Sequence, residues 1–240
     1  MLTTLRGITL HSIAYNDRND IVYLYTRQRG LVGALVAKSK SKRSKRNNLL
    51  SSPPLEVELI GDVNKKNSLV RISQFSIVNA YNSIRLDPIK ATIMMFLSEL
   101  LYRILREPEP DNQMYDFICQ SFQFLDETED SSANFHLCFL YYLLMHLGFS
   151  PDFDCSDNRQ FFDMTESCFT NVMPNGPYIS PREATFLPTF QRINYHNMHL
   201  YRFTRQERQI ALKYLITYYR LHLPPFGELK TLEVLKEMFG

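Results

Sequence analysis

The chain has 240 residues, 45% of them hydrophobic and 22% charged, with 17 Phe and 14 Tyr. That length admits one large domain or two modest ones with a sizeable core, and that composition leaves little room for wide disorder. The net charge of +2 hides an asymmetry: residues 1–80 hold 13 Lys and Arg against 5 Asp and Glu, whereas residues 107–166 hold 13 acids and one cation, Arg159. A basic front and an acidic middle point to two modules with different partners.

In chain order, the first eighty residues have the period of strands. RGITLHSIAYN reads as a strand, NDRND as a polar turn, and IVYLYT as a second strand. In that strand Ile21, Tyr23 and Tyr25 share one face and Val22 and Leu24 the other. RQRG turns, with Gly30 suited to a positive φ. LVGALVAK is a third strand, LEVELIG a fourth and SLVRISQFSIV a fifth. Five short strands, with a long excursion between the third and fourth, predict an OB-type barrel over residues 1–80.

The period then changes to helical. Asp87 is an expected N-cap with Pro88 at the first helical position. Ile89, Ile93, Phe96, Leu97, Leu100, Leu101 and Ile104 follow at three- and four-residue spacing. Further helices are expected over 112–125 and over 133–147, the latter apolar nearly all round and stopped by Gly148. Cys119 and Cys138 lie in these patterns as core residues, and His136 and His146 read as core histidines with satisfied hydrogen bonds. Residues 149–180 read as irregular. Ser180 to Glu183 and Thr204 to Glu207 each read as a capping box opening a helix, and a last helix closes the chain. The expected fold is therefore α+β: an N-terminal five-stranded OB-type β-barrel followed by an all-α helical-bundle domain over residues 81–240.

No apolar run reaches about 18 residues, so no membrane contact is expected. With four scattered cysteines and no signal peptide, the chain is expected in the cytoplasm with reduced thiols.

Residues 38–46, KSKSKRSKR, carry six cations in nine positions and no apolar or acidic side chain. Such a stretch adds nothing to a core. Solvated it is tolerable, and against a polyanion it becomes favourable through counterion release. If all six met phosphates of one strand, log affinity would fall against log salt with a slope of roughly −4. Lys38, Lys40, Lys42, Arg43, Lys45 and Arg46 are therefore the expected phosphate-binding residues, joined by Arg27 and Arg29 of the preceding hairpin. The serines offer no base code, so little sequence preference is expected. Tyr15, Tyr23 and Tyr25 are candidates for stacking bases, although tyrosine is also simply a good strand residue.

Catalytic signatures do not occur: the chain contains no Walker loop, GxGxxG or GxSxG. No nucleophile, base and orienter assemble in the sequence, and no enzyme or cofactor is expected. The one metal candidate is Cys155 and Cys168 with His196 and His199, two sulfurs and two imidazoles of the kind zinc takes. It lacks a CxxC knuckle, and isolated surface histidines with half-buried thiols are the plainer reading.

With both modules laid out, the chain resembles the bacterial recombination-mediator family RecO. The likeness rests on GITLHSIAYNDRNDIVYLYTRQRGLVGALVAK with the basic stretch after it, on LSELLYRIL, on LLMHLGFSPDFDC and on the closing LKTLEVLKEM. The resemblance implies binding to single- and double-stranded DNA and annealing of complementary strands. It also implies partnership with RecR and with the acidic tail of single-stranded-DNA-binding protein, so that RecA loads at gaps and breaks, without nucleotide hydrolysis. Arg202, Arg205 and Arg208 are candidates for a cationic rim receiving that tail. One departure stands out. Many relatives carry a four-cysteine zinc site after the LGF-P segment, and here only Cys155 matches its start. Phe161, Phe162 and Phe169 are the expected replacement packing. The rival readings are an RNA-binding OB protein and a protein–protein adaptor with an incidental basic loop.

Overall fold

The computed structural model describes residues 2–38, 49–50, 54–63, 69–106, 109–153 and 160–239. Five strands form a closed barrel: β1 (Leu2–Asn16), β2 (Asn19–Thr26), β3 (Gly30–Ala37), β4 (Glu56–Val63) and β5 (Leu69–Asn79). Their order around the barrel is β1-β2-β3-β5-β4, with β4 returning to pair β1. All pairs are antiparallel except β3 with β5, which run parallel over only Gly33–Leu35 against Leu69–Arg71. Gly30 opens β3 at φ 60°, a conformation that side chains rarely adopt. At Gly61 a Cβ would sit 2.6 Å from Val70 Cγ1 and 2.7 Å from the Arg71 carbonyl oxygen, so only glycine lets β4 pass β5 this closely.

The alternation read in the sequence decides what fills the barrel. Leu5, Val22, Leu24, Val32, Ala34, Val36, Val57, Leu59 and Val70 point inward and are buried, and Leu50 and Leu55 close the core. Transfer of each such side chain from water stabilises by roughly 1.5–3 kcal/mol.

The described chain clusters into two compact units. The first takes in residues up to Glu127 with Leu229–Leu232, and the second takes in Thr128–Glu228 and the remaining C-terminal residues. Besides the barrel, the first unit holds α1 (Asn82–Leu86), α2 (Pro88–Ile104) and α3 (Asn112–Glu127). Asp87 caps α2 as expected, its Oδ1 accepting from the N–H groups of Ile89 (2.8 Å) and Lys90 (3.2 Å), with Pro88 in the first turn. Tyr102 of α2 stacks on His11 of β1, centroids 4.4 Å apart, and tilts against Tyr23 of β2 at 4.8 Å. Buried Glu56 of β4 accepts from Arg6 Nε (2.8 Å), Tyr115 Oη (3.1 Å) and Cys119 Sγ (3.7 Å). Burial is the chief cause that pushes the Cys119 thiol up to about 12, which keeps it an inert donor. Buried Glu99 of α2 accepts from the backbone N–H groups of Lys230 and Thr231 and from Thr231 Oγ1 at 2.6 Å.

The second unit holds α4 (Phe135–His146), α5 (Pro181–Ala184), α6 (Arg205–His222) and most of α7 (Thr231–Phe239). It also holds a sheet absent from the sequence reading, which had residues 149–180 irregular: β6 (Phe161–Asp163), β7 (Cys168–Thr170) and β8 (Tyr178–Ile179), ordered β7-β6-β8. Strands of two or three residues are too short to show a period. Helix α4 is buried on nearly every side, and Gly148 beyond it has φ 78°. The capping box at Thr204 forms fully: Glu207 N–H donates to Thr204 Oγ1 and Thr204 N–H donates to Glu207 Oε2. The one at Ser180 does not, since Ser180 Oγ donates to Glu183 Oε2 and makes no bond to the helix backbone. The two histidines also differ from expectation. His146 is exposed, and His136 is buried but its Nδ1 has no hydrogen-bond partner. Among the described residues no helix is long and apolar enough to cross a membrane.

Candidate nucleic-acid interface

Strand register places Arg27 and Arg29 at one mouth of the barrel and Lys38 at the other. Thr26 faces Gly30 at one end of the β2–β3 pair, and Asn19 faces Ala37 at the other. Arg27 and Arg29 lie beyond the first end and Lys38 beyond the second, so eight-residue strands put roughly 25 Å between them. Proximity in sequence was misleading here, because a hairpin carries the chain the full height of the sheet. Arg27 is also engaged. Its guanidinium makes a two-pronged ion pair with Asp116 of α3 (2.6 and 3.0 Å) and lies 5.7 Å from the Tyr115 ring centre. It locks the barrel to α3, whereas Arg29 is exposed.

At the mouth that holds Lys38, the β1–β2 turn is folded by Asn16, whose Oδ1 accepts from the N–H groups of Arg18 and Asn19. Lys38 N–H donates to the Arg18 carbonyl at 2.7 Å, and its ammonium pairs with Asp20 (2.9 Å) and donates to the Asn16 carbonyl (3.1 Å). Lys38 is thus tied to the turn. Lys40, Lys42, Arg43, Lys45 and Arg46 lie outside the described residues.

The same mouth opens into a cleft of about 650 Å³ where β3 and β5 part after their three paired positions. Val36 and Ala37 line one wall, Ile72 and Phe75 of β5 the other, and exposed Arg71 and Gln74 stand along the rim with Asn19. Asp62 lies opposite Arg71 in the β4–β5 register. Ala37 and Leu50, the one before and the other after the basic stretch in sequence, both line the cleft. Sequence reading missed Arg18, Asn19, Arg71 and Gln74. The β1–β2 turn brings Arg18 and Asn19 to this mouth, whereas Arg71 and Gln74 reach it only through the pairing of β3 with β5, strands separated by the long excursion.

The stacking candidates are divided by the fold. Tyr25 is 3% exposed, and burial together with the Asp111 charge raises its hydroxyl to about 12. It offers no face to a base. Tyr23 is taken up by Tyr102. The outward face of β1 and β2, open on paper, is where α2 packs. Tyr15, near the turn, is 59% exposed.

In the second unit, Arg202 and Arg205 are exposed just before and at the start of α6. Arg208 is half-buried and donates from Nη1 to the Phe203 carbonyl, while its Nε has no partner. Burial lowers its pKa, and its charge adds to the burial that drives His136 down to about 3. One turn along α6 from Arg208, Ala211 and Leu215 line an apolar pocket with Phe153, Phe162 and Met164.

The metal candidate does not come together. His199 pairs with Asp130 at 3.6 Å, His196 is exposed, Cys168 sits in β7 and Cys155 lies outside the described residues. Among the described residues no three His, Cys, Asp or Glu side chains gather as a metal requires. The segment is packed by aromatic rings: Phe162 lies 5.2 Å from both Phe153 and Phe169, and Phe161 meets Tyr178 edge-on at 5.4 Å. Ser167, Tyr218 and His222 add a hydrogen-bonded clasp, with His222 Nε2 2.8 Å from the Met164 carbonyl oxygen.

The closed barrel in this strand order, with helices after it, defines an OB-type barrel protein with a helical C-terminal part. Comparison with known proteins narrows the class. Residues 1–81 match the family described as Recombination protein O N terminal, and residues 85–233 match Recombination protein O C terminal. The chain is 40% identical over 245 residues to the DNA repair protein RecO of Porphyromonas gingivalis and 38% identical over 241 residues to that of Phocaeicola vulgatus, covering 100% of both chains in each case. It is 32% identical over 236 residues to the DNA repair protein RecO of Flavobacterium psychrophilum, covering 98% of each. The chain belongs to the RecO family.

Proposed function

We propose that the protein is a non-enzymatic DNA repair mediator of the bacterial cytoplasm. It binds single- and double-stranded DNA, anneals complementary strands and, with RecR, helps load RecA on DNA coated by single-stranded-DNA-binding protein. The observation that carries this reading is the convergence at one barrel mouth. Ala37 and Leu50, which lie on either side of the basic stretch in sequence, both line the cleft that Arg71 and Asn19 rim. Ten residues separate Lys38 from Leu49, so chain length alone keeps the cations between them within roughly 20 Å of that rim.

The physics suits a mediator. Annealing needs strands held by their phosphates with base edges free to pair, and Lys and Arg contacts to phosphate do this while screening strand–strand repulsion. In the helical part, exposed Arg202 and Arg205 at the start of α6 suit the acidic tail by charge.

The test is annealing of complementary oligonucleotides coated with single-stranded-DNA-binding protein. Intact protein is compared with a variant in which Lys38, Lys40, Lys42, Arg43, Lys45 and Arg46 are all glutamine. The variant is expected to anneal at least about tenfold more slowly at moderate salt. Equal rates would assign the basic stretch no role and favour an adaptor. RNA of the same sequence competing as well as DNA would favour an RNA-binding protein.

A further inference from the structure

We infer that a hydrogen-bonded clasp fastens the β6–β7 turn to α6 in place of a bound metal, so that this part of the second unit folds without one. The family resemblance implies a four-cysteine zinc site after the LGF-P segment in many relatives, and the residues present do not fit it. The chain has four cysteines in all, and Cys119 and Cys138 lie earlier, in α3 and α4. Cys155 and Cys168 remain, two sulfurs where such a site takes four. In its place stands a grip made of side chains alone. Tyr218 and His222, one turn apart on α6, share one helix face. Tyr218 Oη lies 2.6 Å from Ser167 Oγ, and His222 Nε2 lies 3.5 Å from the same oxygen. His222 Nε2 also donates to the Met164 carbonyl oxygen at 2.8 Å, which puts the hydrogen on that nitrogen and withdraws it from any metal. The backbone ties down the same two turn residues: Asp152 N–H donates to the Ser167 carbonyl at 2.9 Å, and Met164 N–H donates to the Pro177 carbonyl at 3.1 Å. Within the turn, Asp163 Oδ1 accepts from the N–H groups of Thr165 and Glu166, and Ser167 ends it at φ 62°. Glycine suits that backbone conformation and serine does not. Serine keeps a hydroxyl that glycine lacks, and that hydroxyl is the atom Tyr218 and His222 reach. A strained residue persists where its surroundings over-determine it, as these contacts do.

The test is amide hydrogen exchange of the full chain, read on peptides covering residues 160–170, in buffer alone, with a strong zinc chelator and with added zinc. Exchange there is expected to be the same in all three conditions. His222→Leu and Ser167→Gly are each expected to speed it roughly threefold to tenfold, and His222→Gln, which keeps a donor, less than His222→Leu. Barrel peptides should exchange as in the parent, which reports that the variants fold. If His222→Leu unfolds the second unit, Ser167→Gly decides, because it removes the hydroxyl while suiting the backbone of the turn. Faster exchange in chelator, or protection gained with zinc, would show that a metal holds the segment and would overturn the inference. A Ser167→Gly chain exchanging no faster than the parent would overturn it too, since the hydroxyl would then fasten nothing.

Discussion

The ring of His136 is 1% exposed, stacks on Phe239 at 5.1 Å and has an Nδ1 without a partner. Burial, helped by the Arg208 charge, lowers its pKa from 6.5 to about 3. The sign follows from linkage. The unfolded chain protonates this ring below pH 6.5 while the folded chain does not, so the stability present above 6.5 is progressively lost as pH falls toward 3. The loss approaches about 1.4 kcal/mol per pH unit at most. His136→Leu should therefore flatten the acid limb of the stability curve. At neutral pH it should stay within about 1 kcal/mol of the parent, because the lost ring contacts are offset by removal of an unpaired polar atom. Urea denaturation at a series of pH values measures this, and identical acid limbs would assign the loss to other groups. The sequence placed His136 correctly on a buried helix. Its missing partner was illegible, because hydrogen-bond partners come from segments far along the chain. Arg27 shows the same limit: its ion-pair partner Asp116 is 89 residues away.

Elements were legible in proportion to their length and to the residues that start and stop them. All five barrel strands and the helices from Asp87, Asn112 and Thr204 follow from period and capping, each within a few residues of its observed bounds. The sheet β6-β7-β8 was not legible, since its strands are shorter than one full alternation. It is defined by aromatic neighbours rather than pattern. At Ser180 and Thr204 the same four-residue signature had two outcomes. The box at Thr204 opens an 18-residue helix whose first N–H groups need an acceptor, whereas α5 has only four residues. Thr204→Ala should accordingly cost about 1 kcal/mol. In a two-state melt of a chain this size that is a drop of roughly 2–4 °C. Ser180→Ala should cost less than half as much. Differential scanning calorimetry of the two variants checks the contrast, and equal shifts would contradict it.

For the molecule as a whole, charge distribution matters more than net charge. Lys38 is tied to Asp20, while Arg18 and Arg71 stand at the same barrel mouth as Lys38. Counting Arg18 and Arg71 with the five cations from Lys40 to Arg46, the slope of log affinity against log salt for single strands should be about −5, steeper than the basic stretch alone would give. A titration between about 50 and 200 mM salt should lose close to three decades. A slope nearer −1 would mean that the cations do not meet phosphates together. The cationic mouth also bears on how the barrel deforms. A cylinder laced tightly around most of its wall and stitched by three rungs along one parallel seam gives way first at the thin stitching. Thermal breathing would therefore widen the space beside Arg71 and Gln74 before the rest of the wall opened.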